Sequence, residues 1–150
     1  MRFMLLLIPG YDGDATPDTR SDAEAVAEMA AYHQRLHEAG VLVALDGLHP
    51  PSAGARVSFA GGEATVIDGP FDGVSDVLGG YWMIEVASRE DAIAWATRCP
   101  AAGNEVIEVR QVQEFADFPP ELQRALTGEP DGHGDGSPAT GSWRHLLAAV

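Results

Sequence analysis

The stretch Phe3-Met4-Leu5-Leu6-Leu7-Ile8, closed by Pro9-Gly10, decides the fold. An unbroken apolar run of strand length, ended by a turn signal, reads as a strand covered on both sides. It needs helices over one face and a second layer over the other. With Arg2 before it, the run superficially resembles a secretory leader. It falls short of the roughly 7–15 residues of such a leader's apolar region, and acidic residues follow where a small-residue cleavage site would stand. The expectation is a central buried strand.

Outward from that strand, residues 11–20 are polar and rich in Gly, Pro and Asp. Ser21-Asp22-Ala23-Glu24 has capping-box spacing and an acidic first turn, which suits the positive end of a helix dipole. Val26, Met29, Ala30, Tyr32, His33 and Leu36 then recur at helical intervals, and Gly40 supplies a stop. A helix over 21–39 follows. Val41 to Leu45 is a second apolar run, ended by Asp46-Gly47-Leu48-His49-Pro50-Pro51. Ala55–Phe59 and Ala64–Ile67 flank Gly61-Gly62 and predict a hairpin. Gly80–Val86 is a further strand. Ser88-Arg89-Glu90-Asp91 opens a second helix that Pro100 ends, and Glu105–Gln113 alternates as a strand does. Gly79-Gly80 reads as a turn.

The order strand, helix, strand, hairpin, strand, helix, strand is an α+β pattern with two β-α-β halves, the ferredoxin-like arrangement. Helices on one side of the sheet leave its other face open. A homodimer that covers this face is expected. The domain spans 1–113, and 114–150 form a C-terminal extension. Within the extension, residues 128–138 read as a flexible linker between a short helix near Pro120–Leu126 and an apolar end, Trp143–Val150. That end either packs on the body or a partner, or is disordered.

A chain of 150 residues with 45% apolar content fits one domain. Its 23 acidic residues against 9 basic ones, all Arg, give a net charge of −14. Nucleic-acid binding requires phosphates to be neutralised by Lys and Arg. Direct nucleic-acid binding and docking on anionic membranes are therefore not expected. One cysteine, Cys99, permits no internal disulfide and places the protein in the cytoplasm. It reads as a small buried hydrophobe or as a reactive thiol. No stretch reaches the roughly 18 apolar residues of a membrane span. There is no zinc spacing, no phosphate-cradling loop and no serine-nucleophile motif, so no metal or cofactor is expected.

The candidate acid/base residues are Asp68, Asp46 and His33. In Asp68-Gly69-Pro70-Phe71, Pro70 fixes φ and holds Gly69 away from helical geometry. Asp68 then either closes an Asx-type turn or offers a cleft carboxylate whose pKa burial would raise. Phe71 is expected to anchor the turn in the core. Asp46 ends the second strand, as a solvated turn carboxylate or as a cleft group. His33 and His37 share a helix face, though no third metal ligand accompanies them. His33, beside the apolar stripe, is the better acid/base candidate. His49 before the double proline, with Tyr81 and Trp82, are candidates for lining a small-molecule pocket. For the two aromatic residues, packing in the core or at a dimer interface is the alternative.

Five segments in order carry a family resemblance: Met4–Leu7; Ala39–Leu42 with Gly47–Pro51; Val66–Phe71; Leu78–Trp82; and Arg98–Ala101 followed by Glu105–Arg110. Together, over residues 1–113, they resemble the DGPF branch of the YCII-related family. The resemblance implies a ferredoxin-like, dimeric α/β-barrel arrangement. It also implies a sheet–helix cleft with a His/Asp pair, and an association with extracytoplasmic-function sigma factors. The helix histidine of relatives lies about one turn from His33. Gly73-Val74-Ser75 stand where relatives usually carry Glu or Lys. Two readings follow: a cofactor-independent acid/base enzyme acting on a small molecule, or a non-catalytic accessory or ligand-binding protein that works with a sigma factor.

Overall fold

The computed structural model describes residues 1–10, 22–71, 77–101 and 104–127. The chain divides into two compact units, Met1–Val112 and Gln113–Val150. In the first, β1 (Arg2–Ile8), α1 (Asp22–Glu38), β2 (Leu42–Gly47), β3 (Ala55–Ser58), β4 (Thr65–Asp68), β5 (Gly80–Glu85), α2 (Arg89–Ala96) and β6 (Val106–Gln111) follow in order. β2, β5, β1 and β6 form one antiparallel sheet in that spatial order, while β3 and β4 pair only with each other. The fold is α+β with an antiparallel sheet, and the order is compatible with a ferredoxin-like fold.

β1 pairs on both sides, with β5 and with β6, as its unbroken apolar sequence requires. Opposed residues of an antiparallel pair share a face. One face therefore carries the row Leu45–Trp82–Leu5–Val109, and the other the row Asp46–Tyr81–Leu6–Glu108. The first is the helix face. Phe3, Leu5, Trp82 and Ile84 are buried there against Tyr32 and Leu36 of α1 and Ala92 of α2. Burying a side chain of this size contributes about 1.5–3 kcal/mol. The Tyr32 hydroxyl donates to the Trp95 carbonyl at 3.1 Å and so ties α1 to α2. That burial holds the Tyr32 pKa far above its usual value.

β2 departs from the simple apolar run read from Val41 to Leu45. Its pairing with β5 shifts between Leu42 and Ala44, so Val43 is an extra residue and half exposed. Such a bulge reverses side-chain parity. Leu42 and Leu45, three apart, can then both face the helices. The same shift carries Ala44 and Asp46 to the opposite face.

The cap of α2 forms as its sequence predicts. Ser88 Oγ accepts from the Asp91 N–H at 3.1 Å and donates to Asp91 Oδ2 at 2.7 Å. The helix ends at Thr97 rather than running to Pro100, and the Thr97 hydroxyl donates to the Ala94 carbonyl at 3.0 Å. The cap expected at Ser21 lies outside the described residues. The β3–β4 hairpin turns through Gly61 and Gly62, both at positive φ, as the Gly-Gly signal implies. In the second unit, α3 (Pro120–Thr127) covers the predicted short helix, and Gln123 Nε2 donates to the Phe118 carbonyl at 2.7 Å just before it. The linker and the apolar end lie outside the described residues. No helix among the described residues is long and apolar enough to cross a membrane.

Candidate functional site

At the end of the sheet where β1 finishes and β5 begins, a cleft of about 160 Å³ opens beneath α1. Leu7, Met29, Leu45 and Trp82 give it apolar walls. His33 enters from α1, and Asp46, Gly47, Gly79, Gly80 and Tyr81 form its strand-end rim. Helical spacing places Met29 and His33, four residues apart, on one face of α1.

Two of the residues that line the cleft each carry a buried polar atom with no partner among the described residues, His33 Nε2 and Trp82 Nε1. Their rings stand 6.0 Å apart at an interplanar angle of 56°. Tyr32 meets Trp82 edge-on at 5.8 Å and fixes the indole from the core side. Burial lowers the His33 pKa below the ordinary histidine value, which favours the neutral ring. An indole N–H can only donate, and a neutral imidazole nitrogen donates or accepts according to its tautomer. Buried groups of this kind are normally satisfied by protein atoms or water, so two unpartnered nitrogens among its lining residues single this cleft out as the candidate site.

Asp46 lines the same cleft, but its carboxylate is turned to the opposite sheet face. The Tyr81 hydroxyl donates to Asp46 Oδ2 at 2.7 Å. That bond, followed by burial and the carboxylate charge, holds the Tyr81 pKa above its usual value. Asp46 and His33 therefore meet at one cleft without a hydrogen bond between them. The bulge at Val43 is the cause.

Asp68 stands elsewhere, exposed at the end of β4 opposite Ala55. The geometry of its tetrapeptide is steric. The Gly69 N–H donates to the Gly54 carbonyl at 2.9 Å, and a Cβ on Gly69 would overlap the Pro51 carbonyl. Phe71 does not join the core. Because the hairpin stands apart from the main sheet, the ring packs under the Arg56 guanidinium, 4.3 Å from its centroid. His49 is exposed in the Pro50 loop and His37 is exposed on α1; neither lines the cleft. Among the described residues no group of three or more His, Cys, Asp or Glu side chains is placed to hold a metal. Cys99 packs against the core, and burial, reinforced by Glu105, pushes its thiol up to about 11. That is the behaviour of an inert thiol.

Sequence reasoning missed the glycines. Gly79 and Gly80 are not a turn. The Gly79 N–H donates to the Leu7 carbonyl and the Gly79 carbonyl accepts from the Leu48 N–H, both at 2.8 Å, so the pair is threaded between β1 and β2. A Cβ on Gly80 would stand 2.9 Å from the Asp46 carbonyl oxygen. The mouth of the cleft depends on that close approach. A wider depression of about 460 Å³ lies at the other end of the strands, near Val41, Val86, Trp95 and Arg98. There Arg98 is stacked on Trp95 at 4.9 Å, and none of its described lining residues has a buried orphan atom.

The YCII-related domain profile matches residues 1–116. The chain belongs to the YCII-related family. An uncharacterised protein of Rhizobium meliloti (strain 1021) is 32% identical over 96 residues, covering 62% of this chain and 77% of that relative. The YCII-related match takes in the three strands β1, β2 and β5 and the helix α1 that line the cleft.

Proposed function

We propose that this YCII-related protein binds a small molecule in the cleft beneath α1 and acts on it by cofactor-independent acid/base chemistry, with His33 as the base. The carrying observation is that His33, which lines an apolar-walled cleft, has a buried Nε2 with no partner among the described residues. A neutral imidazole near physiological pH is the right form of a general base, and reach to the proton is the first requirement. Of the two carboxylates, Asp46 belongs to this reading as a rim group oriented by Tyr81. Asp68 does not line the cleft, and its place is at the hairpin base. A fragment screen by NMR on the full chain tests the reading. Binders should move resonances of His33, Met29 and Trp82 together, and His33→Gln should abolish turnover of any binder that reacts. A screen in which no fragment moves cleft residues would sink it.

The proposal includes a homodimer formed through the open sheet face. Met4, Leu6, Ile8, Ala44 and Met83 line that face and are only half-buried within the single chain. An apolar strip of this kind, flanked by Asp46 on β2 and by Glu108 and Arg110 on β6, is what an interaction surface requires. The DGPF branch and the ferredoxin-like, dimeric α/β-barrel arrangement belong to this proposal.

A second reading is a non-catalytic accessory role with a sigma-factor-type protein. It is favoured by the hairpin, where Val57 faces Val66 and Phe59 is 71% exposed. Two short strands alone are marginal in water, so this arm is suited to a partner. Co-purification with an extracytoplasmic-function sigma factor that is lost in Phe59→Ser would support it; equal recovery would count against it.

A further inference from the structure

Trp82 is only 4% exposed, yet its Nε1 has no acceptor among the described residues. An unsatisfied buried donor costs about 1–3 kcal/mol, and a Phe would fill the apolar wall without that cost. The indole N–H is therefore best explained by an acceptor that arrives with the ligand.

We infer that the cleft takes an uncharged, ring-sized molecule bearing an oxygen acceptor, a ketone or an alcohol, with the oxygen bonded to Trp82 Nε1–H and facing His33 Nε2. This rests on the small-molecule reading above. Size follows from volume. The cleft is about 160 Å³, and an apolar cavity of about 150 Å³ holds benzene. Polarity follows from the walls. Leu7, Met29 and Leu45 offer no hydrogen bonds, so one polar end suffices. Charge follows from what is missing from the described lining, which has no Arg and one carboxylate, Asp46. An anion would be desolvated without a counter-charge. A cation would meet the positive end of an N–H. A ketone or a hydroxyl oxygen accepts from Trp82 Nε1–H, and a hydroxyl also donates to the unprotonated His33 Nε2 that the base role requires.

The experiment is a titration of the ¹⁵N-labelled full chain, following indole N–H signals. The Trp82 signal is assigned by its disappearance in Trp82→Phe. Cyclohexanone, cyclohexanol and cyclohexanecarboxylate are the probes. The neutral probes should move the Trp82 signal saturably, and the carboxylate should bind about tenfold more weakly or not at all. Trp82→Phe should lower affinity for the neutral probes by a similar factor. Preferential binding of the carboxylate would overturn the ligand class and leave the cleft standing. Neutral probes that move Met29 and His33 but not the Trp82 indole would overturn the role of the N–H. If no probe moves any cleft residue, both this inference and the small-molecule reading fall. The wild-type signal gives the answer even if Trp82→Phe folds poorly.

Discussion

His33 and Trp82 hold their rings 6.0 Å apart, each with a buried nitrogen that has no partner among the described residues. One comes from the inner face of α1 and the other from the helix face of β5. Neither orphan is placed to satisfy the other by a bond the structure contains. The pair defines the cleft more sharply than the His/Asp pair implied by family resemblance, because Asp46 is already occupied by Tyr81.

The lowered pKa of His33 makes a pH prediction whose sign can be worked out. The unfolded chain binds the imidazole proton at pH 6.5, while the folded chain resists it. The stabilising contribution is thus full above that pH and is lost as pH falls through the folded-state value. Denaturation curves should show wild type losing more stability than His33→Gln as pH drops below about 6.5. Parallel pH profiles for the two would show that the ring is freely solvated.

Trp82 separates packing from polarity. Trp82→Ala should cost about 3–5 kcal/mol, as expected for a buried aromatic residue. Trp82→Phe keeps most of the apolar wall and removes an unsatisfied donor, so its cost in the ligand-free protein should be well below that. Urea denaturation of both variants is the check. Equal losses would mean that the N–H is already bonded.

Gly80→Ala should damage the site before the fold. The added methyl would meet the Asp46 carbonyl oxygen at 2.9 Å, pressing β2 and β5 apart at the rim. Fragment affinity should fall severalfold, with a stability loss on the order of 1–3 kcal/mol. Unchanged affinity would show that the rim does not shape the cleft.

The open face yields a mass prediction. Light scattering should give twice the 15.9 kDa chain mass, and Leu6→Lys, which puts a charge beside Tyr81 and Glu108 on that face, should return it to one chain. A wild-type protein that scatters as a single chain would remove the dimer from the account.

Much of the fold is legible in the sequence because local signals agree. The apolar run of β1 reads as a central strand, Ser88 and Asp91 mark the start of α2, and Gly61-Gly62 marks the hairpin. The site is less so. His33, Trp82 and Asp46 can be named from sequence, but which of them share a surface depends on the bulge at Val43. No residue in Leu42-Val43-Ala44-Leu45 announces that bulge. Gly79-Gly80 carries the composition of a turn, and only the close backbone of β1 and β2 gives it another use. The tetrapeptide at Asp68 carries the family resemblance only together with the other segments, and its Gly69 is set by the Pro51 carbonyl rather than by chemistry.

The most direct measurement is a crystal of the full chain soaked in cyclohexanone, with the cleft seen at a resolution that places ligand atoms. The account predicts an oxygen within hydrogen-bonding distance of Trp82 Nε1, with His33 Nε2 facing it. A cleft filled by the chain's own side chains, with both nitrogens bonded to protein atoms and no ligand density, would contradict it.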